Sequence, residues 1–269
     1  IEEETGTSLE AVGSYSIPIE RVVARNIENM IGCVQIPVGT AGPLPVNGEY
    51  ADGTFWIPLA TTEGALVASI NRGCSAIAKA GGADVRIFQD FMTRAPVFAA
   101  KSIPHAADSI RWIEEHFAEI KEAAEKTTSH GKLKKISTYT AGTSVYVRMA
   151  YETGDAMGMN MATLASEAAA KVIEEATGLR LIAASGNMCC DKKPAAINAV
   201  EGRGKTVSAG VFLSDELIRT VLKTEASLLI EVNTRKNLVG SARAGALGFN
   251  AHAANVVAAL FLACGQDAA

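Results

Sequence analysis

This sequence has no excess of basic charge and no long hydrophobic run, and each absence excludes a class of function. Its 269 residues include 25 lysines and arginines against 29 aspartates and glutamates, so a net charge of −4 leaves no basic surface for nucleic acid or an anionic membrane. The longest apolar run, residues 253–264, is too short to span a bilayer and is interrupted by Asn255. We therefore expect no nucleic-acid partner and no membrane segment, and the run itself predicts a buried helix.

Cysteine motifs and the usual dinucleotide fingerprint are also missing. The five cysteines are odd in number, and the sequence has no C-x-x-C pair, no metal-ligand spacing and no signal peptide. This pattern predicts a reducing compartment, the cytoplasm, and no metal site. The Rossmann G-x-G-x-x-G motif does not occur, so any dinucleotide site must be of another kind.

The sequence does contain an ordinary globular composition, 48% hydrophobic and 20% charged, in a chain long enough for one large domain or two smaller ones. Apolar periodicity between residues 96 and 184 predicts strands at 96–99, 135–141, 145–151 and 179–185, and helices at 108–126 and 157–177. This order is β-α-β-β-α-β, the ferredoxin-like pattern. The Gly- and Pro-rich stretch 36–48 predicts tight turns.

We therefore predict an α+β fold with three parts. Residues 1–31 form an N-terminal segment, residues 32–95 and 185–269 form a mostly helical large domain, and residues 96–184 form an inserted, ferredoxin-like small domain.

The loop 185–198, SGNMCCDKKPAAIN, carries the strongest chemical signal. It follows a predicted strand, and Pro194 prevents it from running directly into a helix interior. Beside the Asp191 carboxylate, the two lysines Lys192 and Lys193 could form a solvated charged turn. Alternatively, one of them could hold positive charge in a pocket where an oxyanion develops.

Three other stretches offer polar groups, each with a simpler structural alternative. Glu63 is expected in the first turn of a helix, either as a partner of the helix dipole or as a buried acid with a raised pKa. GDAMGMNM (154–161) opens a helix whose N–H groups could hold phosphate oxygens, or is simply capped. TTSHGKLKK (127–135) could contact a further phosphate or form a polar turn.

Eight motifs in order give a more specific indication. ENMIG (28–32), PVGTAGPL (37–44), ATTEGALVAS (60–69), GDAMGMNM, DKKPAAIN (191–198), KNLVGSA (236–242), NAHAAN (250–255) and GQDAA (265–269) together resemble the catalytic portion of hydroxymethylglutaryl-CoA (HMG-CoA) reductase. The resemblance runs from about residue 28 to the last residue. DKKPAAIN resembles the biosynthetic, class I type. The segment with the family's catalytic histidine is absent, so we expect a chain truncated at its C-terminus.

The resemblance implies a reaction and partners. Members of the family reduce the HMG-CoA thioester to mevalonate with two NADPH, in the mevalonate pathway of isoprenoid biosynthesis. We accordingly expect an oxidoreductase and a homo-oligomer, at least a dimer, whose active sites are shared between subunits. The alternatives are a reductase that prefers NADH, and a non-catalytic fragment that dimerises and binds ligand.

The resemblance also implies that the large domain, residues 32–95 and 185–269, binds substrate and that the small domain, residues 96–184, binds NADP. It further implies roles for individual residues. The catalytic set is Lys192, which stabilises the oxyanion, Glu63, which donates a proton, and Asp267, which tunes both. The substrate-binding set comprises Arg94, Ser185, Asp191, Lys193, Lys236 and Asn255. The cofactor-binding set comprises Ser129, His130, Asp155, Met157, Gly158, Met159 and Asn160. His252 lies in a different motif from the family's catalytic histidine, and we expect a structural residue there.

Overall fold

The computed structural model describes residues 3, 6, 8, 10, 15–24 and 26–268. The chain divides into two compact units. Unit 1 comprises Ile1–Leu44, Phe55–Ser75 and His252–Ala268, and unit 2 comprises Pro45–Thr54 and Ala76–Ala251. The predicted boundaries at residues 96 and 184 both fall inside unit 2, and the separate small domain stays a prediction.

Helices and strands are both abundant. The strands are β1 Val38–Gly48, β2 Asp52–Ala60, β3 Ala83–Arg94, β4 Val97–Ala99, β5 Lys132–Ala141, β6 Ser144–Glu152, β7 Arg180–Ala183 and β8 Gly204–Gly210. The helices are α1 Ile19–Val23, α2 Leu66–Lys79, α3 Ile103–Glu115, α4 Phe117–Glu125, α5 Met159–Thr177, α6 Ala196–Glu201, α7 Asp215–Leu217, α8 Ala226–Val232, α9 Ser241–Ala244 and α10 Ala253–Ala263. Among the described residues, the π-helical stretches Ile218–Leu222 and Asn233–Gly240 continue α7 and α8.

The sheet is mixed, and β6 is central to it. β3 and β4 lie end to end along one side of β6, with Met92 opposite Tyr151 and Phe98 opposite Val145, while β5 pairs with the other side. β7 pairs with β4 and β8 with β3, all antiparallel, whereas β1 pairs with β3 in parallel. The predicted β-α-β-β-α-β order is therefore present, but its sheet continues through β3 into strands outside residues 96–184. The fold is a mixed α/β fold with a mixed sheet.

The core of unit 2 lies between β6 and the helices α3, α4 and α5. The α5 sequence places small apolar residues at three- and four-residue steps, and this face is completely buried. Its buried residues are Ala162, Ala165, Ser166, Ala169, Ala170 and Ile173. Small side chains allow α5 to approach the sheet closely, and the fully buried Ile113 and Ile120 fill the space beside it. Each such isoleucine contributes about 1.5–3 kcal/mol by burial. This core fixes β6 and the start of α5.

Residues 32–95 contain more strand than predicted, and the Gly- and Pro-rich stretch 36–48 lies largely in a strand rather than in a series of turns. Residues 32–95 contain strands of 11, 9 and 12 residues against one helix of 14. Proline cannot donate to a strand ladder, yet β1 accommodates Pro43 and Pro45 because its pairing with β3 begins only at Val46. The Gly42 N–H instead donates to Asn71 Oδ1 at 3.0 Å.

The predicted buried helix at 253–264 is mostly exposed. Of α10, only Ala259 is buried, whereas Val257, Phe261 and Leu262 are exposed. Composition predicted burial here, but burial depends on what packs against the helix. Across the part of the chain that the structure describes, no helix combines the length and apolarity needed to cross a membrane.

Candidate active site

The loop that carries Lys192 leaves β7 and is fixed against the β3–β4 junction. The Gly186 N–H donates to the Ala95 carbonyl at 2.7 Å. A Cβ on residue 186 would lie 2.6 Å from Cβ of Val97, so only glycine fits this approach. Thr93 Oγ1 donates to the Cys189 carbonyl at 3.4 Å. The start of the loop is therefore held to the sheet at two points.

Three non-glycine residues of this loop adopt left-handed backbone conformations. The φ angles are +64° at Asn187, +48° at Cys190 and +59° at Lys192. Asparagine tolerates this region, but for cysteine and lysine it costs about 1–2 kcal/mol each. The surrounding contacts must offset that cost, which is common where a loop presents a functional side chain. The Lys192 side chain is exposed.

Asp191 is flanked by two arginines. Arg203 Nη2 donates to Asp191 Oδ1 at 2.8 Å, and Arg94 Nη1 lies 3.9 Å from Asp191 Oδ2. The side chains are only 23% exposed for Asp191, 17% for Arg94 and 16% for Arg203. Two guanidinium groups thus share one carboxylate, and both buried Nε atoms have no hydrogen-bond partner among the described residues. This cluster has a net positive charge and unused donors, which suits an anionic ligand.

Arg148, on β6, lies beneath the loop and is 2% exposed. Its Nε donates to the Met188 carbonyl at 3.1 Å, and its Nη2 donates to the Gly202 carbonyl at 2.7 Å. Burial lowers the pKa of Arg148, while nearby groups including Glu201 act in the opposite direction. One buried guanidinium therefore joins the Lys192 loop to the turn that carries Arg203.

Ser185 and Cys189 form a second contact inside the loop. Ser185 Oγ lies 3.3 Å from Cys189 Sγ. Burial by itself would raise the pKa of the Cys189 thiol, but hydrogen bonds from Ser185 and the Asp191 backbone, together with the Arg94 charge, lower it. Lys193 turns back, and its Nζ donates to the Asp191 carbonyl at 3.1 Å. Ser185, Asp191, Lys193 and Arg94 thus belong to one local cluster.

Glu63 lies in a different environment, in the turn before α2 rather than in the helix as predicted. Its N–H donates to Thr61 Oγ1 at 3.0 Å, and α2 begins at Leu66 after Ala65 at φ +67°. The left-handed residue delays the start of the helix, and the Thr61 hydroxyl closes the turn that precedes it. The Glu63 side chain is exposed, and its Oε2 accepts a hydrogen bond from Asn255 Nδ2 on α10.

The remaining predicted catalytic and substrate residues are exposed. Asp267 follows the end of α10, and His252 precedes its start in a non-helical conformation. Lys236 lies on the π-helical stretch Asn233–Gly240, where Asn237 Nδ2 donates to Asn233 Oδ1 at 3.0 Å. Long π-helices are rare and often occur at functional sites. Glu63, Asn255 and Asp267 belong to unit 1, whereas Lys192, Arg94 and Lys236 belong to unit 2.

The predicted cofactor segment 154–161 forms a tight loop that opens α5. Gly158 precedes the helix at φ +75°, and a Cβ there would lie 2.6 Å from Thr153 Cγ2. Thr153 Oγ1 donates to the Ala156 carbonyl at 2.6 Å and closes the loop. No described side chain caps the start of this 19-residue helix, and uncapped N–H groups at a helix start are what a phosphate or amide ligand requires.

Most side chains of this segment are exposed, and one of them lines a cavity. Met157, Asp155 and Asn160 are exposed, while Met159 is partly buried. Asp155 lines a cavity of about 390 Å³ together with Tyr50, Asp90, Glu152 and Lys205 among others.

The second cofactor segment is adjacent to the first. A Cβ on Gly131 would lie 2.5 Å from Met161 Sδ, so the 128–131 turn packs directly on the first turn of α5. Thr128 Oγ1 accepts hydrogen bonds from the N–H groups of His130 and Gly131 at 3.2 and 3.1 Å. Ser129 and His130 are exposed on this turn. The structure thus brings the two predicted cofactor segments together.

Sequence reasoning missed Arg148 and Arg203. The alternation in β6 predicts Arg148 on an exposed face, but the Lys192 loop and the 201–204 turn cover that face. EGRGK (201–205) reads as a charged turn in the sequence. The available signal for Arg203 was its position between two glycines. Gly202 adopts φ +79° and ψ 151°, a conformation that other residues avoid, and it places Arg203 in the turn.

Comparisons with known proteins match the family that the sequence motifs resemble. A family model described as hydroxymethylglutaryl-coenzyme A reductase matches residues 1–269. Among curated proteins, the 3-hydroxy-3-methylglutaryl-coenzyme A reductase of Methanothermobacter thermautotrophicus is 56% identical over 100% of this chain and 68% of its own length. The protein of the same name from Haloferax volcanii is 55% identical over 100% of this chain and 66% of its own. The chain therefore spans about two thirds of the length of these relatives.

Solved structures share the fold. A class II 3-hydroxy-3-methylglutaryl-CoA reductase from Streptococcus pneumoniae, bound to NADPH in open conformations, matches with a TM-score of 0.72 and 18% identity. The match covers 92% of this chain and 64% of that one. At this identity the likeness concerns the fold alone.

Proposed function

The chain belongs to the hydroxymethylglutaryl-coenzyme A reductase family, and from this premise we propose that it takes part in the reduction of the HMG-CoA thioester to mevalonate. The observation that carries the proposal is the Lys192 loop, in which a strained, firmly held backbone places Lys192 directly after Asp191, whose carboxylate is shared by two arginines. Fixed positive charge of this kind is what an oxyanion requires.

In the proposed mechanism, Lys192 stabilises the negative charge that forms on the thioester oxygen when hydride reaches the carbonyl carbon. The backbone that carries Lys192 is held in place before the substrate binds, which lowers the reorganisation cost of aligning the ammonium with the developing charge. The carbon–sulfur bond of the resulting hemithioacetal then breaks and gives an aldehyde and a CoA thiolate. A second hydride reduces the aldehyde carbon, and Glu63 donates a proton to the alcohol oxygen, with Asp267 tuning both Glu63 and Lys192.

The cluster around Asp191 binds the acyl group. The free carboxylate of the hydroxymethylglutaryl group pairs with Arg94 and Lys236. The buried Nε of Arg94 has no hydrogen-bond partner within the described part of the chain. Ser185, Asp191 and Lys193 shape the same pocket, and Asn255 orients the Glu63 carboxylate.

The start of α5 would hold the nicotinamide cofactor. Gly158 allows close approach to the helix N–H groups, Asp155, Met157, Met159 and Asn160 surround it, and Ser129 and His130 lie on the adjoining turn. NADPH, when bound, supplies the hydride for each of the two reductions. The 2′-phosphate of NADPH, which NADH lacks, would meet Ser129 and His130. In this proposal, residues 96–184 act as an inserted, ferredoxin-like cofactor domain.

The proposal extends to class, assembly and compartment. The DKKPAAIN motif supports the biosynthetic, class I type.

Large apolar side chains are exposed along residues 228–239, which supports an oligomer of at least two subunits with shared active sites. These side chains are Leu228, Leu229, Ile230, Val232, Leu238 and Val239. All five cysteines are free thiols, in keeping with a reducing compartment such as the cytoplasm.

The test is to mix the full-length gene product with HMG-CoA and reduced cofactor and to follow absorbance of the reduced nicotinamide. We expect two NADPH oxidised per mevalonate formed, and slower turnover with NADH. Binding of HMG-CoA without turnover would support the alternative of a non-catalytic, dimerising module, and faster turnover with NADH would reverse the assigned cofactor preference. Light scattering tests the dimer.

A further inference from the structure

Arg203 contacts both the substrate loop and the cofactor segment. Its Nη2 donates to Asp191 Oδ1 at 2.8 Å and lies 3.5 Å from Met159 Sδ at the start of α5. The side chain is 16% exposed, and its Nε is buried. A single guanidinium nitrogen therefore joins the loop that carries Lys192 to the start of α5, where the predicted dinucleotide segment lies.

The turn that carries Arg203 is itself fixed. Arg148 donates to the Gly202 carbonyl at 2.7 Å and to the Met188 carbonyl at 3.1 Å, so the same buried guanidinium binds both the turn and the loop. A Cβ on Gly202 would lie 2.4 Å from Gln89 Oε1, so the turn packs closely on β3. Arg203 thus projects from rigid backbone toward two segments that must be aligned.

Charge explains why an arginine suits this position. Asp191 is flanked at 3.9 Å by Arg94, whose other donors are needed for the acyl carboxylate under the proposed function. Arg203 supplies the short, charge-assisted bond to Asp191 and leaves Arg94 available for substrate. Its planar, weakly hydrated head can also lie against the polarisable Met159 sulfur.

We propose that Arg203 is a positioning residue for the reduction, which sets the Lys192 loop against the dinucleotide segment through its simultaneous contacts with Asp191 and Met159. The inference rests on the proposed function. It predicts that removing the guanidinium affects the chemical step more than ligand binding, because reacting groups that are slightly misplaced lose rate steeply.

The experiment compares Arg203→Met with Arg203→Lys in the full-length gene product. We expect Arg203→Met to lower kcat about 30-fold while KM for HMG-CoA and for NADPH changes less than about threefold. Arg203→Lys, which keeps a charge that can reach Asp191, should recover at least about tenfold of this loss. The matched control is Arg111→Met, which removes an exposed arginine paired with Asp108 on α3.

A double-mutant cycle shows whether Arg203 acts through Asp191. We expect Arg203→Met to lower kcat by less than about threefold in an Asp191→Asn background, since their effects are coupled. Additive effects, or a kcat of Arg203→Met within threefold of the wild type, would overturn the inference. If Arg203→Met does not fold, Arg203→Lys against Arg203→Gln gives the same comparison.

The outcome also separates this inference from the proposed function. A wild-type protein that binds HMG-CoA and NADPH without turnover refutes the function. In that case we would measure the affinity of the same variants for HMG-CoA, once with NADPH and once without it. A mutual effect of the two ligands that Arg203→Met abolishes supports the inference, and one that it leaves unchanged refutes it.

Discussion

The Lys192 loop and the Glu63 turn hold the two principal residues of the candidate site in opposite ways. Lys192 belongs to a backbone with three left-handed non-glycine residues, fixed by Arg148, Thr93 and a close glycine contact. Glu63 lies in an exposed turn, held by the Thr61 hydroxyl and by Asn255. Buried groups hold the backbone of the Lys192 loop, whereas exposed groups hold Glu63.

This difference matches the chemistry proposed for each residue. A group that stabilises a developing charge works best when it is fixed before the reaction, since its solvation then costs nothing in the transition state. A proton donor must be recharged after each turnover, and contact with water serves that step. We therefore expect supports of the Lys192 loop to affect both stability and rate, and supports of Glu63 to affect rate alone.

The largest effect is expected from Lys192→Gly. Removing the ammonium should lower turnover at least about 1,000-fold, which corresponds to about 4 kcal/mol of transition-state stabilisation. Stability should stay constant or rise by up to about 1 kcal/mol, because glycine accepts the φ of +59° without strain. Thermal unfolding and steady-state kinetics measure the two effects.

Lys223→Gly is a matched control for this variant. Lys223 is also an exposed lysine in the left-handed region, with φ +58°, but it follows a π-helical stretch outside the candidate site. It should show the same change in stability with unchanged turnover. Turnover by Lys192→Gly within tenfold of the wild type would remove Lys192 from the mechanism.

Arg148→Met should have the largest effect on stability. The change breaks two hydrogen bonds from a buried charged donor and leaves the Met188 and Gly202 carbonyls without that partner. We expect the free energy of unfolding to fall by about 3 kcal/mol, together with a loss of turnover. Arg111→Met, at an exposed ion pair, should change it by less than about 0.5 kcal/mol. Equal denaturation midpoints for the two variants would show that the loop does not depend on Arg148.

The elements of residues 96–184 were predictable because their signal is local. The predicted helix at 157–177 is observed at Met159–Thr177 and ends, as expected, at Gly178 in the left-handed conformation. The alternation of Val145, Val147 and Met149 gave β6 because these residues are fully buried. Periodicity of this kind depends on one buried face, which a single sequence records.

The supports of the site were not predictable, because they depend on distant segments. Arg148 is buried only because residues 188 and 202 cover it, and Arg203 is placed by a glycine conformation rather than by any pattern. The prolines and glycines of residues 36–48 predict turns, whereas the structure has β1 there. A strand is possible because the prolines precede the part of β1 that pairs with β3. Motifs located the reactive groups, whereas only tertiary contacts identified what holds them.

Glu63→Gln tests the proton donor on the exposed side of the comparison. The amide keeps the shape of the side chain but has no acidic proton, so reduction of added mevaldehyde by NADPH should slow about 100-fold. HMG-CoA affinity and thermal stability should stay unchanged, because Glu63 is exposed. Glu115→Gln, at an exposed position of α3, is the control. Normal mevaldehyde turnover by Glu63→Gln would exclude the assigned role.

Asn255→Ala should have the smallest effect and sharpens the comparison most. It removes the hydrogen bond from Asn255 Nδ2 to Glu63 Oε2 and leaves the charges of Glu63 and Lys192 in place. A bond to a carboxylate at an exposed position is worth about 1 kcal/mol, so aldehyde reduction should slow about fivefold. The free energy of unfolding should change by less than about 0.5 kcal/mol, as for Val257→Ala on the same helix. A loss of stability comparable to that of Arg148→Met would mean that the Glu63 turn is held as firmly as the Lys192 loop, and the proposed division between fixed and exposed supports would be wrong.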